Sequence, residues 1–120
     1  MRVLVVEDEE VFRRLLERHL TRRGAVVVTV GTMRRARERL AEDEDFDAVL
    51  TDLNLPDGKG VDVLQPFAAD RRRPALIVMT GADRVAHPEG ATFETLLKPF
   101  TMVALDEALA RVTRHANSAA

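Results

Sequence analysis

The chain has 120 residues, 46% of them apolar and 32% charged, which suits one compact domain with an ordinary core and a water-facing surface. Its 18 basic and 20 acidic side chains are interspersed and leave a formal charge of −2, so nothing favours direct nucleic-acid binding. It contains no cysteine and no apolar run long enough to span a bilayer, and its first residues do not read as a signal peptide, so a cytoplasmic protein without disulfides or thiolate chemistry is expected.

The first stretch, RVLVV (2–6), is a run of buried-strand type that ends abruptly in Glu7, Asp8, Glu9 and Glu10. A helix follows over 9–24, with Val11, Phe12, Leu15, Leu16 and Leu20 at helical spacing and Gly24 as its stop. Residues 25–30 (AVVVTV) are β-branched and predict a second strand. Thr32 is positioned to cap a second helix whose inward face is Met33, Ala36 and Leu40. A third strand over 46–52 ends at Asp52, and LNLPDGKG after it is turn chemistry in which Asn54 and Asp57 are turn formers. A short helix is expected near 61–69, kinked or shortened by Pro66. Residues 75–80 and 93–98 predict the fourth and fifth strands, and a last helix covers 101–116 with Leu105, Leu109 and Val112 inward. The tail at 117–120 is expected to fray. The whole chain, 1–120, reads as a single domain.

Strand alternating with helix five times, with strands apolar throughout, predicts an α/β fold: a doubly wound, parallel five-stranded sheet covered on both faces. In such sheets ligands bind outside the carboxyl ends of the strands. Glu7, Asp8, Asp52, Thr80 and Lys98 all fall there. Like charges brought this close repel, and each is costly to desolvate. A cation relieves the conflict, and oxygen donors without Cys or His suit Mg²⁺. A carboxylate nucleophile flanked by an amine and a hydroxyl then points to phosphoryl transfer through an aspartyl phosphate, with Asp52 as the candidate acceptor.

The ordered set VVED, LTDLNLPDGKG, VMTGA and LLKPF resembles the receiver domain of two-component response regulators, chemotaxis regulators among them, over essentially the whole chain. The resemblance implies a (βα)5 fold of strand order 2-1-3-4-5. It implies Asp52 as phosphoacceptor, loaded by a histidine kinase or a histidine phosphotransfer protein. Mg²⁺ is then held by Asp8, Asp52 and the Asn54 backbone carbonyl, with Glu7 acting through a water. Thr80 and Lys98 contact the phosphoryl oxygens. Gly81 leaves their path open, and Pro99 follows a cis bond that aims Lys98 at the site. A downstream output domain or protein is the expected receiver of the signal.

The chain also departs from that family. Glu7 stands where Asp is commonest. The segment 81–92 holds Gly81, Pro88 and Gly90 and few apolar residues, so a shortened or distorted fourth helix is expected. Thr95 occupies the place of the usual switch aromatic, which leaves Phe93, two residues earlier, as a shifted candidate. These departures keep open an alternative, a receiver-like interaction module that works without phosphorylation. A phosphohydrolase, by contrast, needs a second acid two residues after its nucleophile, and Asn54 cannot supply one. No separate substrate turnover is therefore expected. His19, His87 and His115 are scattered and suggest no metal or catalytic role.

Overall fold

The structure is a computed structural model, which describes residues 1–42, 45–67, 69, 73–82, 85–86 and 92–118, with side chains to residue 113. Strand β1 (Arg2–Val6) leads into helix α1 (Glu10–Arg22), β2 (Val26–Val30), helix α2 (Met33–Glu42) and β3 (Ala48–Asp52). A two-residue ribbon, β4 (Asn54–Leu55) with β5 (Gly58–Lys59), follows, and then β6 (Ala75–Thr80), β7 (Glu94–Leu97) and helix α3 (Met102–Ser118). The main sheet is parallel throughout, in the order β2-β1-β3-β6-β7. With the small antiparallel ribbon set aside, this is the expected 2-1-3-4-5.

Apolar strands are covered on both faces. Leu4, Val6, Val49 and Val78 pack with Met33, Ala36 and Leu40 of α2 on one side. Val3, Val5, Leu50, Ile77 and Met79 pack with Leu16 and Leu20 of α1 and Leu105 and Leu109 of α3 on the other. Strand alternation sends successive side chains to opposite cores. Burying one such aliphatic side chain stabilises the fold by roughly 1.5–3 kcal/mol.

The termini of the helices are set by side chains that sequence spacing only partly reveals. Glu9, placed within the helix over 9–24 by its sequence pattern, is instead the N-cap of α1 and accepts from the Val11 (3.1 Å) and Phe12 (2.8 Å) amides. Gly24, at φ 92°, takes the left-handed conformation just past the helix end. The Thr32 hydroxyl caps α2 by accepting from Arg35 N (3.1 Å), as expected. Asp57, read as structural, reaches α2 from the ribbon and accepts from Met33 N (2.8 Å) and Arg34 N (2.9 Å).

Other expectations change or lie outside the described residues. The helix near 61–69 is replaced by two 3₁₀ turns, Gly60–Asp62 and Gln65–Phe67. Pro66 has no N–H to continue an α-helical ladder, and the tighter turns suit the short apolar pattern. Val11 and Leu15 are exposed despite their helical spacing, because α1 turns Leu16 and Leu20 to the core. Between β6 and β7 the described residues contain no helix, and the expected fourth helix falls largely on 83–84 and 87–91, outside the described residues. At the C-terminus α3 runs to Ser118, and 119–120 lie outside the described residues.

Candidate functional site

The parallel register brings the predicted strand ends level. Val6 is opposite Thr51, which places Glu7 and Asp8 beside the end of β3 at Asp52. Carboxylate oxygens of Glu7, Asp8 and Asp52 all lie within 4.8 Å of one another. On the far side, β6 pairs with β7 so that Lys98 N donates to the Thr80 carbonyl (2.7 Å). Lys98 then reaches back, its Nζ 3.2 Å from Asp52 Oδ1 and 3.8 Å from Glu7 Oε2. The Lys98–Pro99 peptide bond is cis.

The three acids are not equivalent. Asp8 is exposed, Asp52 half-buried and Glu7 only 2% exposed. Glu7 Oε1 accepts from Glu9 N (3.1 Å), whereas the buried Oε2 has no hydrogen-bond partner among the described residues. Burial pushes the Glu7 carboxyl above the usual carboxylate range. The Glu9 amide pulls it down, the Asp52 charge pushes it up, Lys98 pulls it down and Asp8 pushes it up. A buried acceptor left without a donor is a costly arrangement. Three carboxylates converging on one point, one of them with an orphaned oxygen, have the donor chemistry that a hard divalent cation requires.

Thr80 is buried at the end of β6, and its Oγ1 accepts from Ala82 N (3.0 Å), leaving the hydroxyl proton free to donate. Beside it, a Cβ added at Gly81 would meet nothing within 4 Å among the described residues. Asn54 lies in the ribbon two residues after Asp52, exposed, its side-chain oxygen taken by Lys59 Nζ. Phe93 sits one residue before β7, half-buried against the α2-side core, and Thr95 is exposed in mid-strand. The structure thus gathers Glu7, Asp8, Asp52 and Lys98 at one point, with Thr80 tied to Lys98 through the main chain.

Three supporting residues escape sequence reasoning. Phe12 lies under Lys98, its ring centroid 5.1 Å from Nζ, and tilts against Phe100 at 6.0 Å. Arg13 Nη1 donates to the Glu7 carbonyl (3.0 Å). Gly60 packs so tightly that a Cβ there would fall 2.1 Å from the Asp52 carbonyl oxygen and 2.8 Å from Thr51 Oγ1. The first two depend on how α1 docks, which helical spacing does not encode. The second glycine of GKG was the only visible trace of the third.

Comparison with known proteins agrees with this architecture. A family model for the response regulator receiver domain matches residues 3–110. The transcriptional regulatory protein TcrA of Mycobacterium tuberculosis is 36% identical over 116 residues, covering 93% of this chain and 44% of that protein. The chain therefore spans less than half the length of such curated relatives. A response regulator receiver domain protein from Clostridium thermocellum superposes with a TM-score of 0.86 at 26% identity, covering 99% of this chain and 98% of the other. The receiver domain of a Pseudomonas aeruginosa sensor histidine kinase, with a magnesium ion coordinated in its active-site cleft, superposes at 0.81 with 26% identity, covering 94% and 97%.

Proposed function

The chain belongs to the response regulator receiver family, and on that footing we propose that it is a phosphorylation-switched signalling domain whose acceptor is Asp52. The observation that carries this reading is the convergence on Asp52 of two further carboxylates and one ammonium group at the carboxyl edge of the central strand. An Asp52 oxygen attacks the phosphorus of a phosphohistidine on a histidine kinase or phosphotransfer protein. The nitrogen–phosphorus bond breaks, and the electron pair leaves with the histidine nitrogen. Lys98 sits where it neutralises charge on the incoming group, and the Thr80 hydroxyl has a proton to donate to a phosphoryl oxygen. Among the described residues, nothing lies within 4 Å of a Cβ at Gly81 on that side.

Asp8, Asp52, the Asn54 carbonyl and, through a water, Glu7 are the groups that would hold Mg²⁺. When bound, the ion supplies positive charge to the transferring oxygens. The orphaned Glu7 Oε2 and the magnesium in the Pseudomonas receiver domain both support that choice. The protein works in the cytoplasm, without direct contact to nucleic acid or membrane and without turning over a separate substrate. Its signal passes to an output domain or protein, in keeping with relatives more than twice its length. Among the described residues, no helix is long and apolar enough to cross a membrane.

The test is incubation with acetyl phosphate and MgCl₂ followed by intact mass measurement. One phosphoryl group is expected on the wild-type chain and none on Asp52→Asn. A folded wild-type protein that gains no mass overturns the proposal. The exposed Thr95 and the core-packed Phe93 favour one second reading, a receiver-like interaction module that needs no phosphorylation. Beryllofluoride with Mg²⁺ separates the two. The switch predicts amide shifts that spread from Thr80 into β7, and the module predicts none beyond the site.

A further inference from the structure

Strand β2 forms one edge of the main sheet and carries no charge and no proline over VVVTV. An edge of this kind is a template for another strand. Its inner side is accounted for: Val26 N donates to the Met1 carbonyl (2.8 Å), and Glu7 N donates to the Val30 carbonyl (3.0 Å). In a parallel ladder alternate residues turn their N–H and C=O groups to the same neighbour. Val28 therefore joins Val26 and Val30 in facing β1, and Val27 and Thr29 direct their backbone groups to the open side.

That open side is the floor of a cleft of about 720 Å³. Helix α1 borders it with Arg13 and Glu17, and α2, on the opposite face of the sheet, borders it with Arg35 and Arg39. Glu17 is engaged by the Thr29 hydroxyl (3.2 Å). Among the described residues, Arg35 and Arg39 make no ion pair, and the buried Arg39 Nε has no hydrogen-bond partner. A strand laid on this edge would send alternate side chains toward Arg13 on one face and toward Arg35 and Arg39 on the other.

We propose that this edge is a docking site for an extended acidic peptide from a partner protein, which adds to the sheet beside β2. The backbone row supplies the ladder, and the arginines select acidic side chains. A second copy of this chain does not fit the site, because edge-to-edge pairing would set two groups of arginines against each other. A small anion would meet the charge but leave the Val27 and Thr29 backbone groups unused. The inference is independent of phosphoryl transfer at Asp52.

The test uses the full chain, ¹⁵N-labelled, titrated with the capped peptide Val-Glu-Val-Glu-Val-Glu. Controls are its lysine counterpart and two versions N-methylated on one or the other set of alternate amides. The expected result is saturable shifts at Val27, Thr29 and Gly31, no such binding by the lysine peptide, and loss of binding by one methylated version only. Arg35→Ala with Arg39→Ala should weaken binding about tenfold. If that variant misfolds, the methylated peptides still decide the matter on the unaltered chain. Absence of saturable shifts along β2 overturns the proposal. So does equal binding by the lysine peptide or by both methylated peptides, which would reduce the site to charge attraction or to no site at all.

Discussion

Two carboxylates of this chain are in opposite electrostatic states. Glu7, at the end of β1, is buried, has an oxygen with no hydrogen-bond donor among the described residues and is pushed above the usual carboxylate range by that burial. Asp57, in the turn of the β4–β5 ribbon, is exposed, has both oxygens bonded to amides at the start of α2, and is held below the usual range first of all by the Arg34 N–H. A third carboxylate, the half-buried Asp106, pairs with His19 at 2.8 Å and with Arg23 at 3.6 Å and links α1 to α3. Asp57 and Asp106 already have partners, so their charges hold the fold together. Glu7 and Asp52 share Lys98, Asp8 converges on them without an ion pair among the described residues, and the three keep an unmet demand for positive charge. The unmet demand is what marks a site.

The largest expected effect comes from pressing on the acidic end directly. Gly60→Ala forces a methyl group against the Asp52 carbonyl and should destabilise the protein by roughly 3 kcal/mol in urea unfolding. Next, Asp57→Ala removes two capping bonds and should cost about 1 kcal/mol of stability while leaving Mg²⁺ affinity unchanged in calorimetric titration.

The two carboxylates should also give opposite pH dependence. Because the native Glu7 carboxyl is raised, the folded state keeps its proton longer than the unfolded state does. Metal-free stability should therefore fall as pH rises from the ordinary value of 4.5 through the raised one, and Glu7→Gln should abolish that fall. Asp57 acts the other way. Its contribution is present above the ordinary value of 3.8 and is lost as pH falls through its lowered one. Urea unfolding midpoints across that range check both signs. The smallest effect on stability is expected at Asp8, which is exposed. Asp8→Ala should leave metal-free stability unchanged or raise it by less than about 0.5 kcal/mol, and should clearly weaken Mg²⁺ binding. A marked loss of stability would make Asp8 a structural acid like Asp57.

The strands, and the placement of the candidate site residues at their ends, were largely legible because both rest on local pattern. Runs such as VLVV and ALIVMT can scarcely be anything but buried strands, and a parallel sheet collects whatever ends them. Glu7, Asp8, Asp52 and Lys98 thus follow from strand ends alone. What stayed hidden depends on packing between distant segments. Asp57 was readable as a structural residue, but its partners lie 24 and 23 positions earlier in the chain. Phe12 and Arg13 reach the site only through the rotation of α1, the same rotation that leaves Val11 exposed. Glu9 is an uncommon N-cap, so residue preference pointed away from it. Around Pro66 the apolar spacing was visible, but the choice of 3₁₀ turns over one helix was not.

The contrast between unmet and satisfied charge is tested most directly by adding MgCl₂ to the ¹⁵N-labelled chain and following its amide signals. Saturable shifts are expected at Glu7, Asp8, Asp52 and Asn54, extending to Lys98, with Met33 and Arg34 beside Asp57 unmoved. Saturable shifts that spare Asp8 and Asp52, or an equal response at the Asp57 cap, would contradict it.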